Sequence, residues 1–286
     1  MITKKRLLSI FSALAFLGVL FVMSSCEQES DTIELGYVLW DSEIASTHVV
    51  AAVIEDRLER EVSLTAVDAG PMWMGVARGD FDAIVAGWLP VTHEAYLEQT
   101  SDDVINLGPN LNGARLGWVV PTYVTVNSIE ELNEHADKFD GEITGIDPGA
   151  GLMAASESVL EEYNLDNFRL VSGSDAAMTA ALRRAIEREE WIVVTGWTPH
   201  WMFASFDLKY LEDPKKVLGE EEYIGTIVNK NFPGKDMEVY NLLDNFYWTS
   251  DDMAEVMVLI ENGMEPFDAA RQWIAQNTDK VDQWLN

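Results

Sequence analysis

Ala83-Ile84-Val85-Ala86-Gly87-Trp88-Leu89-Pro90 runs apolar without alternation and ends on an indole and a proline. A run of this kind reads as a strand buried on both faces, as in a parallel sheet. The ending recurs: Gly196-Trp197-Thr198-Pro199 follows the run that starts at Trp191, and a third indole, Trp40, closes Leu35 to Leu39. In open α/β sheets ligands bind beyond the carboxyl ends of the strands, so an aromatic placed there three times is positioned to face a ligand. Of the 10 tryptophans, these three are the candidates for a site and the others are expected in the core.

Working outward, strand-like runs over Thr32 to Leu39, Val62 to Val67 and Phe81 to Ala86 alternate with helical ones over Ile44 to Leu58 and Pro71 to Arg78. The plan then repeats. Glu142 to Ile146, Phe168 to Ser172 and Trp191 to Thr195 read as strands, and Leu152 to Tyr163 and Asp175 to Glu187 as helices. Strands alternating with helices imply βαβ units and an α/β fold. Ala69 to His93 and Gly173 to His200 share an order of parts, namely a Met-bearing helix, a strand, Gly-Trp-x-Pro and a His, which suggests two lobes built on one plan. An extended run from Arg115 to Thr125, crossing near Pro121, and a second near Tyr223 to Asn229 would join them, making two hinge crossings. The expected division is residues 26–121 with 228–286 as lobe 1 and 122–227 as lobe 2. The C-terminal part reads as helices over Met237 to Trp248, over Met253 to Asn262 with Ser250 as cap, over Pro266 to Gln276, and a last turn to Leu285.

Lys4, Lys5 and Arg6 precede an apolar stretch from Leu7 to Met23 and then Ser24-Ser25-Cys26. This is an export signal, and small residues before a lone Cys look like a bacterial lipoprotein signal over residues 1–25, with lipid attached to Cys26. The alternative is an uncleaved membrane span, for which the stretch is at the short limit. Either way the chain is expected on the outer face of the cytoplasmic membrane, in the periplasm or at the cell surface. With a single Cys there is no intramolecular disulfide. The net charge of −30 comes from acids spread along the chain, which argues against nucleic acid as a partner and for an acidic, solvated surface.

Catalytic motifs are absent. The four His (His48, His93, His135, His200) form no helical metal pair, and there is no Cys cluster, Walker loop or nucleophile elbow, so no metal, cofactor or catalytic residue is expected. The chemistry of binding is fuller. Indole faces attract cations and suit a quaternary ammonium above all, since that group has no N–H to offer a carboxylate. A pyranose sugar is the competing guest for stacked Trp. Asp147-Pro148-Gly149-Ala150-Gly151-Leu152 opens a helix after a strand, and its free N–H groups suit an anion. His93, five residues after Trp88, is placed to donate to the same anion. A cation cage beside an anion site describes a receptor for a zwitterion such as a betaine.

Five segments make the resemblance specific: Trp40-Asp41-Ser42-Glu43-Ile44-Ala45-Ser46-Thr47, Ala69-Gly70-Pro71-Met72-Trp73, Trp88-Leu89-Pro90-x-Thr92-His93, Gly145 to Gly151, and Gly196-Trp197-Thr198-Pro199-His200-Trp201-Met202-Phe203. Together they resemble the glycine betaine-binding proteins of osmoprotectant ABC importers. The resemblance implies a type II periplasmic-binding-protein fold, a two-lobe clamshell that closes on its guest and delivers it to a permease and its ATPase. It also implies that Trp40, Trp88 and Trp197 box the trimethylammonium, while His93 and the amides of Gly151 and Leu152 hold the carboxylate. His200 and Trp201 are expected to brace the Trp197 turn. The resulting expectation is a solute receptor, not an enzyme, for glycine betaine or proline betaine. The alternatives are a receptor for choline or carnitine and, in another class, a surface-anchored sugar hydrolase.

Overall fold

The first turn of the first helix decides where everything else meets. In this computed structural model, which describes Thr32–Asn286, strand β1 (Ile33–Tyr37) leads through Trp40 into α1 (Asp41–Leu58), which starts three residues earlier than its apolar pattern suggested. The leader and Cys26 lie outside the described residues. Trp40 is the N-cap, with extended backbone (φ −97°, ψ 141°), and Glu59 in the left-handed region (φ 57°) stops the helix. Strand β2 (Val62–Ala66), helix α2 (Ala69–Arg78) and strand β3 (Ala83–Leu89) follow, and β1 pairs in parallel with both β2 and β3. Every residue of β3 is buried, as the unbroken apolar run requires of a central strand, and the strand continues through Trp88 instead of stopping at Ala86.

After α3 (Glu94–Thr100), the long strand β4 (Val104–Pro121) enters a second group of strands. A run of 3-10 turns over Ile129–Phe139 leads to β5 (Glu142–Thr144), α4 (Gly151–Glu162), β6 (Arg169–Val171), α5 (Asp175–Glu187) and β7 (Val194–Thr198). Strand β5 is parallel to β6 and β7, while β4 lies antiparallel to β7. Then α6 (Met202–Ser205) and β8 (Leu208–Tyr210) precede β9 (Glu222–Asn229), which returns antiparallel between β3 and β4. Strand order is β2-β1-β3-β9-β4-β7-β5-β6, with β8 also on β4.

Strand β4 changes partner at one step: Ala114 pairs with Glu222 of β9, and Arg115 with Thr198 of β7. The passage between the two groups of strands therefore comes before Pro121, the residue expected near it. Pro121 instead ends the strand opposite Leu208, where its missing N–H costs the ladder little.

The chain closes with α7 (Phe232–Lys235), α8 (Met237–Asn245), α9 (Ser250–Glu261), α10 (Pro266–Gln276) and α11 (Thr278–Trp284), of which α9 and α10 pack on α1. The cap of α9 is Thr249, not Ser250. The Thr249 side chain accepts from the Asp252 N–H while the Asp252 carboxylate takes the Thr249 N–H, a reciprocal pair that Ser250 is one residue too late to make. Among the described residues no helix is long and apolar enough to cross a membrane.

Candidate functional site

Three indoles converge on the first turn of α1. Trp40 caps it, Trp197 donates its ring N–H to Ser42 Oγ (3.2 Å), and Trp88 donates its own to Glu43 Oε1 (2.9 Å). The Trp40 and Trp197 rings lie 6.2 Å apart between centroids, and all three side chains are at most 5% exposed. Trp88 comes from β3 and Trp197 from β7, so the two groups of strands each send an indole to the same helical turn. The peptide bonds Leu89-Pro90 and Thr198-Pro199, one residue beyond each indole, are both cis.

The turn is held from the second group of strands by carboxylates as well. Asp147, in the connection after β5, accepts the Trp40 ring N–H (2.9 Å). Trp40 offers the helix no side-chain cap, and the free Asp41 N–H is taken instead by Asp175 Oδ2 in the first turn of α5 (2.9 Å). The Asp41 carboxylate receives the Trp201 ring N–H. Burial, and then the nearby Asp175, raise Asp41 to about 6.

His93 is fully buried at the start of α3, with its ring 6.2 Å from Trp40. Its Nδ1 accepts from Trp73 Nε1–H (3.2 Å) and from the Trp88 backbone N–H (3.1 Å), which fixes the hydrogen on Nε2. That Nε2–H has no partner among the described residues. Burial lowers the imidazole to about 3, against the pull of the Ala86 carbonyl, so the ring stays neutral and serves as a donor of fixed direction.

The start of α4, the expected anion site, lies close to the turn that carries His93. Its N-cap, Ala150, supplies no side-chain acceptor, and among the described residues no acceptor takes the Gly151 or Leu152 N–H. Gly151 touches the turn after β3 closely: a Cβ there would sit 2.5 Å from the Thr92 carbonyl oxygen. Tyr96 Oη donates to the Gly149 carbonyl (3.2 Å), a further tie between α3 and this connection.

Asp41, Asp175 and His200 place an oxygen or nitrogen ligand atom each within 4.8 Å of one another. They do not suit a metal ion. His200 Nδ1 accepts from the Met202 N–H (3.1 Å), so Nε2 carries the hydrogen, which it directs at Asp175 Oδ1 (3.2 Å) instead of offering a lone pair. The His200 ring also meets Trp197 edge-on at 4.6 Å, bracing the turn that carries it.

Sequence reasoning passed over Glu43, Ser42, Asp175 and Trp73. Glu43 and Ser42 stood in a quoted segment but lay before the helix as it was read, from Ile44, and were given no role, while Asp175 read as a helix start. Their only signal lies in three dimensions, since a carboxylate with no exposed surface, as Glu43 is, cannot be told from a solvated one by spacing.

The family model for the substrate-binding domain of ABC-type glycine betaine transport systems (OpuAC) matches residues 31–276. The glycine betaine/carnitine transport binding protein GbuC of Listeria monocytogenes is 51% identical over 164 residues, which are 57% of this chain and 55% of that protein, so the match spans about half the length of that relative. Lactococcal OpuAC, solved in a closed-liganded conformation with glycine betaine, superposes with a TM-score of 0.85 at 46% identity, covering 90% of this chain and 100% of that one. The glycine betaine/L-proline-binding protein ProX of Borrelia burgdorferi gives the same TM-score at 33% identity, over 89% of this chain and 97% of that one. The expected two-lobe, type II periplasmic-binding-protein architecture is thus the fold of this molecule. The chain belongs to the OpuAC family of substrate-binding domains of ABC-type glycine betaine transport systems.

Proposed function

We propose that this protein is the extracytoplasmic receptor of an ABC importer and that it binds glycine betaine, or a close relative such as proline betaine, for osmoprotectant uptake. Trp40, Trp88 and Trp197 enclose the quaternary ammonium. The Nε2–H of His93 and the amides of Gly151 and Leu152 hold the carboxylate. Three indole faces at about 0.5 to 2 kcal/mol each, with two or three charge-assisted hydrogen bonds at roughly 1.5 to 3 kcal/mol, offset the ordering cost of a micromolar complex.

The observation that carries this reading is the convergence of indoles from both groups of strands on one helical turn, beside a buried imidazole whose only free atom is a donor. The lobes are residues 26–121 with 228–286 and residues 122–227. The change of partner along β4 supports such a division and favours a crossing several residues earlier than its first boundary. The loaded receptor docks on a permease driven by its ATPase, and lipid on Cys26 keeps it at the membrane.

Calorimetric titration of the mature chain with glycine betaine, proline betaine, carnitine and choline tests the proposal. Micromolar binding of a betaine, with choline weaker because it brings no carboxylate for His93, is the expected result. Failure of all four to bind overturns it.

A further inference from the structure

Glu43 is fully buried, and every partner of its carboxylate is neutral: Trp88 Nε1–H at 2.9 Å, Ser46 Oγ at 3.2 Å and Ser42 Oγ at 3.4 Å. No charged side chain among the described residues acts on it. A carboxylate removed from water without a cation is costly to ionise. Burial accordingly lifts Glu43 from 4.5 to about 7, with the three neutral donors pulling it back.

Its partners are the cage itself. Trp88 is bonded directly, and Trp197 reaches the same carboxylate through Ser42. A quaternary ammonium has no hydrogen to share, so its charge is balanced through space alone, by ring faces and by any anion close behind them. Resting on the betaine-receptor reading, we propose that Glu43 is the counter-charge of the cage: it ionises when a quaternary ammonium enters, gives its proton to the solvent, and so selects a cation over a neutral group of the same shape.

The other titratable groups nearby have their own partners. Asp41, on the same turn, faces Trp201, Asp175 and His200; Asp147 is bonded to Trp40; His93, from the α3 side, is neutral. Closure around Asp41 favours proton uptake, opposite in sign to the Glu43 effect, so the test compares Glu43→Gln with the wild type instead of following the wild type alone. Gln keeps an acceptor for the Trp88 ring N–H and removes only the charge.

Titrations of both proteins with glycine betaine between pH 5.5 and 8.5, each in two buffers of different ionisation heat, measure affinity and protons released. The wild-type advantage over Glu43→Gln is expected to grow about tenfold per pH unit below pH 7 and to level above it. Near pH 6 the wild type should release up to about one proton more than the variant. A second arm needs no variant: 3,3-dimethylbutyrate replaces the ammonium nitrogen by carbon at the same shape, and its binding to the wild type should lack the Glu43-linked rise and the proton release. Ligand-free Glu43→Gln should melt no lower than the wild type above pH 7, which separates loss of charge from loss of fold. Equal affinity of the two proteins at all pH values, or betaine binding without proton release relative to the variant, overturns the counter-charge while the receptor reading stands. No betaine binding by the wild type removes both.

Discussion

Replacing His93 by alanine should weaken betaine binding far more than choline binding. The imidazole is neutral and its hydrogen is fixed on Nε2, because Nδ1 is occupied by the Trp73 ring N–H and the Trp88 backbone N–H. Among the described residues the Nε2–H is left free, and on the proposed reading it donates to the betaine carboxylate. A charge-assisted bond of this kind contributes roughly 1.5 to 3 kcal/mol, so His93→Ala should raise the betaine dissociation constant about 10- to 150-fold. Choline has no carboxylate and should lose only what the small disturbance of Trp88 costs. Removing the ring also leaves two buried N–H groups without an acceptor, at about 1 to 3 kcal/mol each, so the variant should melt below the wild type. Calorimetric titration at constant pH with both ligands, together with thermal unfolding, separates the two effects. His93→Gln, with an amide that can both accept and donate, should recover part of the loss. Because the imidazole is held near 3, its contribution should not vary between pH 5 and 8. Equal losses for betaine and choline, or undiminished betaine binding, would refute the assignment.

Gly151→Ala places a Cβ against the Thr92 carbonyl, which belongs to the other lobe on the proposed division, so it should hinder closure and weaken betaine at least tenfold with thermal stability unchanged; small-angle scattering should show a ligand-insensitive, more open particle. Asp175→Ala removes the acceptor by which α5 caps α1, a contact of about 0.5 to 2 kcal/mol. Stopped-flow displacement should show faster betaine release. Ligand-free stability should fall as pH rises through Glu43. An acid whose pKa is raised on folding stabilises the native chain fully below its unfolded value of 4.5, and that contribution is lost as pH rises through about 7, a change of roughly 3 kcal/mol. Urea titrations from pH 4.5 to 8 should show this decline in the wild type and a flatter profile in Glu43→Gln.

How much the sequence revealed varied with the kind of signal. Helix α5 was read to the residue, because Ser174 caps it and its apolar positions keep helical spacing. The span of α10 was legible from Pro266 at its start. Strand β3 showed through as an unbroken apolar run, although its end was placed at Ala86, three residues before it stops at Leu89. The 3-10 run over Ile129–Phe139 was not placed, since its apolar positions are few among charged ones. Nor was the antiparallel seat of β9 between β3 and β4, because pairing partners leave no mark on either strand alone. At the candidate site, residue type pointed to the indoles and His93, which the fold brings to one helical turn. Glu43, which holds the Trp88 ring, and Asp175, which takes the Asp41 N–H, draw their roles from burial and from chain segments far away.

The seam between the halves runs through N–H groups, hydroxyls and carboxylates, among them Trp40 with Asp147, Asp41 with Asp175, Ser42 with Trp197 and Tyr96 with Gly149. Each of these polar groups can exchange its partner for water when the jaws part, so what gaping has to uncover is chiefly the Trp40 and Trp197 rings. For the receptor proposed above, a seam stitched in this way would grip its cargo yet part at the transporter's mouth by trading each polar stitch for water, leaving the indoles as the surface the solute itself has to cover.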